Sequence, residues 1–498
     1  MERLFINLLL MLAITGSVAV SHASTTFLSR FKNNIRVAID ETPEKLNASV
    51  DYSRIEEKTN ACSRSGSRLA IMSAATFHLH TLPRLPLRSF EASSDSAASF
   101  LENRSVIDKI DNIDEKMRSG EVSVQPWSGD YWPIRSGGIA RRYLDSNFPD
   151  LTTRDSWLDA FNYFQANAPD KTEDKFLAPS EKYDLLVDDK NFSLTKANWA
   201  EGKQYNDRYG EVEKWMGYCH GWAPASFMEP RPTHKITVKS HAADSDKEIE
   251  FLPDDVKALA SLKWANGINV TEDYLTGATR FLGNRCDDKE PKKDQETGRI
   301  IEPGCFDLNP GTWHIVVTNQ IARANRPLII DASFDYEVWN QPVTGYSFSY
   351  FNPKTLKPTE DLAEATIDIN DTEFVDKFKK FRNNPNAVQL VGVKMYVEYV
   401  VETSPRNRAE DSPARDSHQT AVYHYDLELD SRGRIIGGEW YQNKHPDFIW
   451  MPLKNSISIN HEDTYVKNDK DIVRVAPYAS RAMIPLRRVI DNILANFR

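Results

Sequence analysis

Cys219 stands in the run Gly217-Tyr218-Cys219-His220-Gly221-Trp222-Ala223-Pro224-Ala225-Ser226, between aromatics and glycines and ahead of small residues able to start a helix. A helix N-terminus offers unsatisfied N–H groups and positive dipole potential, and both lower a thiol pKa. A thiolate formed there can attack a carbonyl carbon and use its own backbone N–H with a neighbouring donor as an oxyanion hole. The competing reading is a buried or disulfide-bonded cysteine, because lone cysteine signatures transfer poorly between folds.

A nucleophilic thiol needs a base and a group that orients the base. Gly311 to Ile321, Ala322 to Pro327 and Leu328 to Ser333 read as strand, polar turn and strand, with His314 on the first strand and Asp331 on the second. Neighbouring strands joined by a short turn would let the carboxylate hold the imidazole while its other nitrogen faces the thiol. Taken singly, His314 reads equally as a satisfied strand histidine and Asp331 as a strand-end residue. His220, His424 and His445 are rival bases; His220 adjoins the cysteine, but a neighbour on a helix start points to another face.

The elements that must hold these residues follow from the rest of the chain. Hydrophobic residues at 40% and aromatics at 11% exclude general disorder. A net charge of -10 argues against a nucleic-acid partner, which requires a basic face. Residues 1–23 read as a secretory signal, with Arg3, an apolar stretch from Phe5 to Val20 and a small-residue site at Ser21-His22-Ala23. No other apolar span approaches the ~20 residues that cross a bilayer, so the expectation is an exported chain, extracellular or periplasmic, with no membrane contact after cleavage. Of four cysteines, Cys286 and Cys305 bracket a charged loop and read as a disulfide clip contributing about 3 kcal/mol. Cys62 then lacks an evident partner, and a Cys62–Cys219 bridge would mask the nucleophile.

Residues 24–125 form a helical N-terminal region or a propeptide, with Val106, Ile107, Ile110, Ile113 and Met117 on one helical face. Residues 126–498 form the catalytic domain. Helices are expected at 153–167, 178–186 and 253–264, and a strand at 234–239. The runs 393–401, 421–429 and 434–441 alternate or run apolar like antiparallel strands, with a turn at Asp430 to Gly433. There is no glycine-rich phosphate loop and no internal repeat. The fold class is α+β, with a helix-borne cysteine and His/Asp on antiparallel strands.

Cysteine, histidine and aspartate in that order resemble the papain-like and transglutaminase superfamily. Val338-Trp339-Asn340-Gln341-Pro342-Val343 is similar to the surface peptide of the secreted transglutaminase elicitors of oomycete plant pathogens, with Thr344 where arginine is expected and Tyr346 where phenylalanine is. The run around Cys219, the Tyr131-Trp132-Pro133 stretch and Gly437 to Trp450 also resemble that family, over roughly residues 127–452. The leader has a bacterial look. The resemblance implies a protein-glutamine γ-glutamyltransferase: Cys219 attacks a glutamine carboxamide, His314 is base and acid, and Asp331 orients it. Trp222 or Tyr218 would supply the second oxyanion donor, and lysine or another amine, or water, would resolve the thioester. It further implies an elicitor-like surface segment at Val338 to Val343. Some relatives need calcium, but no EF-hand pattern is present, so no metal ligand and no cofactor is expected. Other outcomes are a papain-like cysteine peptidase and a non-enzymatic secreted elicitor or binding protein.

Overall fold

The alternating runs between 389 and 437 pair as strands, and the chain builds a curled antiparallel sheet from them. The computed structural model describes residues 96–102, 105–149, 156–242, 246–271, 278–284, 291–302, 305–332 and 337–498. The leader at 1–23, most of the 24–125 region, Cys62 and Cys286 lie outside the described residues.

Eight strands position the site: β1 (Ser119–Glu121), β2 (Thr279–Gly283), β3 (Ile329–Asp331), β4 (Asn340–Phe351), β5 (Gln389–Val401), β6 (Ser417–Leu429), β7 (Ile435–Gly437) and β8 (Phe448–Pro452). They run in the order β7-β6-β5-β4-β3-β8-β2, with β1 paired to β4, and all these pairings are antiparallel. The long β5–β6 pair, from Gln389 opposite Leu429 to Val401 opposite Ser417, is its backbone.

Helices cover both faces of the sheet. They include α1 (Ile110–Lys116), α2 (Ser193–Tyr209), α3 (Cys219–Met228), α4 (Pro253–Asn266) and α5 (Pro310–Val317). Because successive strand side chains point to opposite faces, the strands feed two cores. Phe281, Ile329, Phe448 and Trp450 join the core that holds residues of α2, α3 and α4. Leu282, Ile330, Ile449 and Met451 join the core that holds Ile110 and Ile113 of α1 and Trp313 and Val316 of α5.

Two sequence expectations are corrected here. The stretch around His314 is a helix, not a strand. Asn309 caps it, its side chain accepting the N–H groups of Gly311 and Thr312, and Pro310 occupies the first turn. That Asn-Pro start is a helix signal, and it prevails over the β-branched run that suggested a strand. The Val338 to Val343 segment is not a surface peptide either: all six residues are buried, and Asn340 to Val343 open the central strand β4. Pro342 sits there because the Val343 N–H bonds Leu328 O on the β3 side, which turns the missing proline N–H toward β5. The β4–β5 pairing accordingly stops at Val343 opposite Tyr399. The proline ends a ladder instead of marking an edge.

Small residues set how closely α3 approaches α4. A Cβ on Gly221 would lie 2.1 Å from Ser261 O and 2.6 Å from Ala265 Cβ. Neither helix backbone can yield without moving the other. Gly221→Ala is therefore expected to destabilise the fold by about 1–3 kcal/mol, as overpacking does, visible as a lower melting temperature. An unchanged melting temperature would show that the α3–α4 contact is looser than this.

Candidate active site

Cys219 is the first residue of α3 and is 4% exposed. Among the described cysteines it is the free thiol. The turn before it is pinned: the Tyr218 N–H donates to Tyr131 O at 2.5 Å, and a Cβ on Gly217 would fall 2.5 Å from the same oxygen. The backbone of Tyr131 thus touches the chain at 217–218 too closely for any side chain but glycine's at 217.

Two residues touch the sulfur through hydrogen bonds, and both come from the start of β4 and the stretch just before it. The thiol donates to Val338 O at 3.5 Å, and Asn340 Nδ2 donates to Sγ at 3.5 Å. The Asn340 backbone N–H also donates to the sulfur. Asn340 Oδ1 accepts from Trp450 Nε1 at 2.7 Å. Asp331 lies directly opposite Asn340 in the β3–β4 register and accepts the Trp339 N–H at 3.0 Å. Trp339 is held further by its own Nε1 on Glu337 at 3.1 Å, by the Ala332 N–H on its carbonyl, and by edge contact with the Tyr131 ring.

Burial pushes the Cys219 thiol up to about 12; the side-chain and backbone N–H groups of Asn340 pull it down, while the negative charges of Glu402 and Asp331 push it higher. The resting sulfur is a protonated thiol. Burial also raises Glu402 to about 7, opposed by the Gln341 amide that donates to it at 2.8 Å, and raises Asp130 to about 6. Glu402 acts on the thiol through space, as a charge, and Asp130 acts in the same way on Glu402.

The structure brings Cys219 and Asp331 to one face of the sheet and leaves His314 on the other. The His314 Nδ1 shares a hydrogen bond with the Tyr425 hydroxyl at 2.8 Å, and its ring packs on Phe348 and Tyr425. Those neighbours belong to the core on the α1–α5 side. Burial drives His314 down to about 3, so it is neutral. Its assignment as the base facing Cys219 is corrected: the sheet stands between them. The rivals are no closer in contact. The His220 ring is turned to the backbone of Ala265 and Gly217, His445 stacks on Trp440 with Asp307 3.6 Å from Nε2, and His424 packs near Phe351. None of the described histidines touches the Cys219 sulfur.

Trp222 and Tyr218 are also reassigned from oxyanion donors to supports. The Trp222 indole donates to Trp127 O at 3.1 Å, and the Tyr218 hydroxyl is held by Glu201 at 2.6 Å. Both side chains are fully buried. The residues that sequence reading missed are Asn340 in this role, Trp450 and Glu402. Trp450 stood in the apolar run 448–452, which reads as a strand buried on both faces and so does not tell its two faces apart; Glu402 had no signal. Among the described residues no group of three or more His, Cys, Asp or Glu side chains is placed to hold a metal ion.

A family model described as transglutaminase elicitor matches residues 100–461. The chain belongs to the transglutaminase elicitor family. A crystal structure of the GP42 transglutaminase from Phytophthora sojae is similar at 21% identity, covering 76% of this chain and 94% of that one, with a TM-score of 0.47. No curated protein matches. In this elicitor-family chain the Trp339 side chain is 3% exposed and anchors the segment that crosses the thiol.

The raised thiol pKa makes a direct expectation. Iodoacetamide should modify native Cys219 slowly at neutral pH, and the rate should keep climbing through the alkaline range, because only the thiolate reacts. Trp339→Ala should cost roughly 3–5 kcal/mol of stability, the usual loss for a buried tryptophan, and should speed alkylation by loosening the covering strand. A rate plateau at neutral pH in the parent would contradict the burial argument.

Proposed function

We propose that this chain is a protein-glutamine γ-glutamyltransferase in which Cys219 carries the acyl group. The observation that carries the reading is the sulfur itself: a free thiol on the first residue of α3, with two Asn340 N–H donors aimed at it and Asp331 alongside. Family membership supports the same chemistry.

In this reading the sulfur adds to the carboxamide carbon of a protein glutamine, and the C–S bond forms as the carbonyl electron pair moves to oxygen. Collapse of that adduct breaks the C–N bond and leaves a thioester. The thiol proton departs with the ammonia. Glu402, whose charge reaches the thiol and whose pKa lies near neutrality, is the candidate carrier for that proton, a role first expected of His314. Asp331 holds the Trp339 backbone in place. A lysine amine then attacks the thioester, giving an isopeptide bond and the free thiol; water in its place gives deamidation. The partners are protein glutamine donors and amine acceptors, and the place of action is extracellular, in keeping with the family. A Cys286–Cys305 clip belongs to this reading, since Cys305 is set apart from the free thiol.

Incorporation of a labelled primary amine into a glutamine-bearing protein tests it. Cys219→Ala should abolish incorporation with little change in melting temperature. His314→Gln should stay within about tenfold of the parent, whereas loss of a true general base costs about a hundredfold or more. Incorporation surviving in Cys219→Ala would overturn the assignment. Peptide-bond cleavage without amine transfer would make the chain a cysteine peptidase.

A further inference from the structure

The Asn340 side chain is fixed in one sense by its second partner. An indole N–H is a donor only, so the Asn340 atom facing Trp450 Nε1 at 2.7 Å must be the amide oxygen. The NH2 group is then forced toward Sγ, 3.5 Å away. The backbone N–H of the same residue points to the same sulfur. Asn340 is fully buried and Trp450 is 2% exposed, so water cannot scramble this arrangement.

A buried donor pair aimed at a thiol does little for the neutral S–H, which is a weak acceptor. It does much more for a thiolate, because hydrogen bonds to a charged acceptor are roughly twice as strong. We propose that Asn340 is the catalytic anion holder of this site, stabilising first the Cys219 thiolate and then the oxyanion, with Trp450 as the positioning residue that locks its amide. The proposal rests on the reading of Cys219 as nucleophile.

The atoms permit both tasks. When Sγ bonds the carboxamide carbon, negative charge passes from sulfur to the oxygen attached to that carbon, a neighbour of the sulfur. Donors already converging on the sulfur are preset for the charge in its new position and need no reorganisation. Trp222 and Tyr218, whose donors are committed elsewhere, have no part in this.

The test separates charge stabilisation from packing. The rate of iodoacetamide alkylation is measured against pH for the parent, Asn340→Ala and Trp450→Phe, alongside amine incorporation and melting temperature. Simple opening of the site relieves the burial that raises the thiol and so moves the midpoint of the alkylation curve to lower pH, the opposite direction from loss of an anion holder. Asn340→Ala should move the midpoint to higher pH and lower kcat by about 100- to 1,000-fold, the usual loss for an oxyanion donor, with KM nearly unchanged. Trp450→Phe, which removes an N–H that never touches the sulfur, should move both in the same direction by less. Should Asn340→Ala fail to fold, the Trp450→Phe midpoint decides. Unmoved midpoints in the folded variants overturn the proposal. A parent that alkylates as expected yet transfers no amine would sink the proposed function; a shifted midpoint there would still uphold the hold of Asn340 on the thiolate.

Discussion

Asp331 opposite Asn340 is the register on which the site depends. Strand side chains alternate, so this pairing puts both polar groups on the face where α3 lies, and it puts Ile330 on the other. A slip of one residue would carry Asn340 to the α1–α5 side and present the thiol with apolar side chains. The register is held from several directions. Ile329 and Ile330 pair with Trp450 and Ile449 on β8, the Val343 N–H reaches Leu328, and the Asp331 carboxylate takes the Trp339 N–H. The last contact ties the carboxylate to the strand it faces, so strand pairing and site assembly are one event.

The same sheet decides which acid–base groups can meet. His314 and Cys219 sit on the sides of two different cores, and the strands between them keep the two apart. Around the thiol the ionisable neighbours are carboxyls: Asp331, Glu402 and, acting on Glu402, Asp130. Anions beside a buried sulfur oppose its ionisation, and the Asn340 donors oppose the anions. The balance leaves a thiol at rest and a carboxyl near neutral pH within electrostatic reach. An imidazole would settle such a balance by becoming cationic beside the thiolate. Here the neutral Asn340 donors act on the sulfur with less net charge in the interior.

Much of the scaffold was legible. The helix opened by Pro253, the strands at 393–401 and 421–429, and the helix start at Cys219 all follow from local pattern, because caps, prolines and alternation act within a few residues. The errors arose where long-range packing outvoted local preference. The β-branched Ile315-Val316-Val317 looked like strand, but the Asn309–Pro310 start and burial on the sheet made it helix. Pro342 looked like an edge because a proline cannot serve two neighbouring strands, yet it serves one and ends the other pairing. Glu402 was invisible, since its role comes from β5 ending beside Gln341, a fact about tertiary register that no local spacing encodes.

The covered thiol has a consequence for the life of the protein between encounters with substrate. Peroxides and stray disulfides react with thiolates, not with thiols, and they must reach the sulfur to do so. Cys219 at rest is protonated and shielded by the strand from Val338 to Asn340. The cover that slows any reagent from solution therefore also preserves the one free sulfur among the described residues from oxidation. Oxidation needs two rare events together, access to the sulfur past that strand and loss of its proton, so each protection multiplies the other.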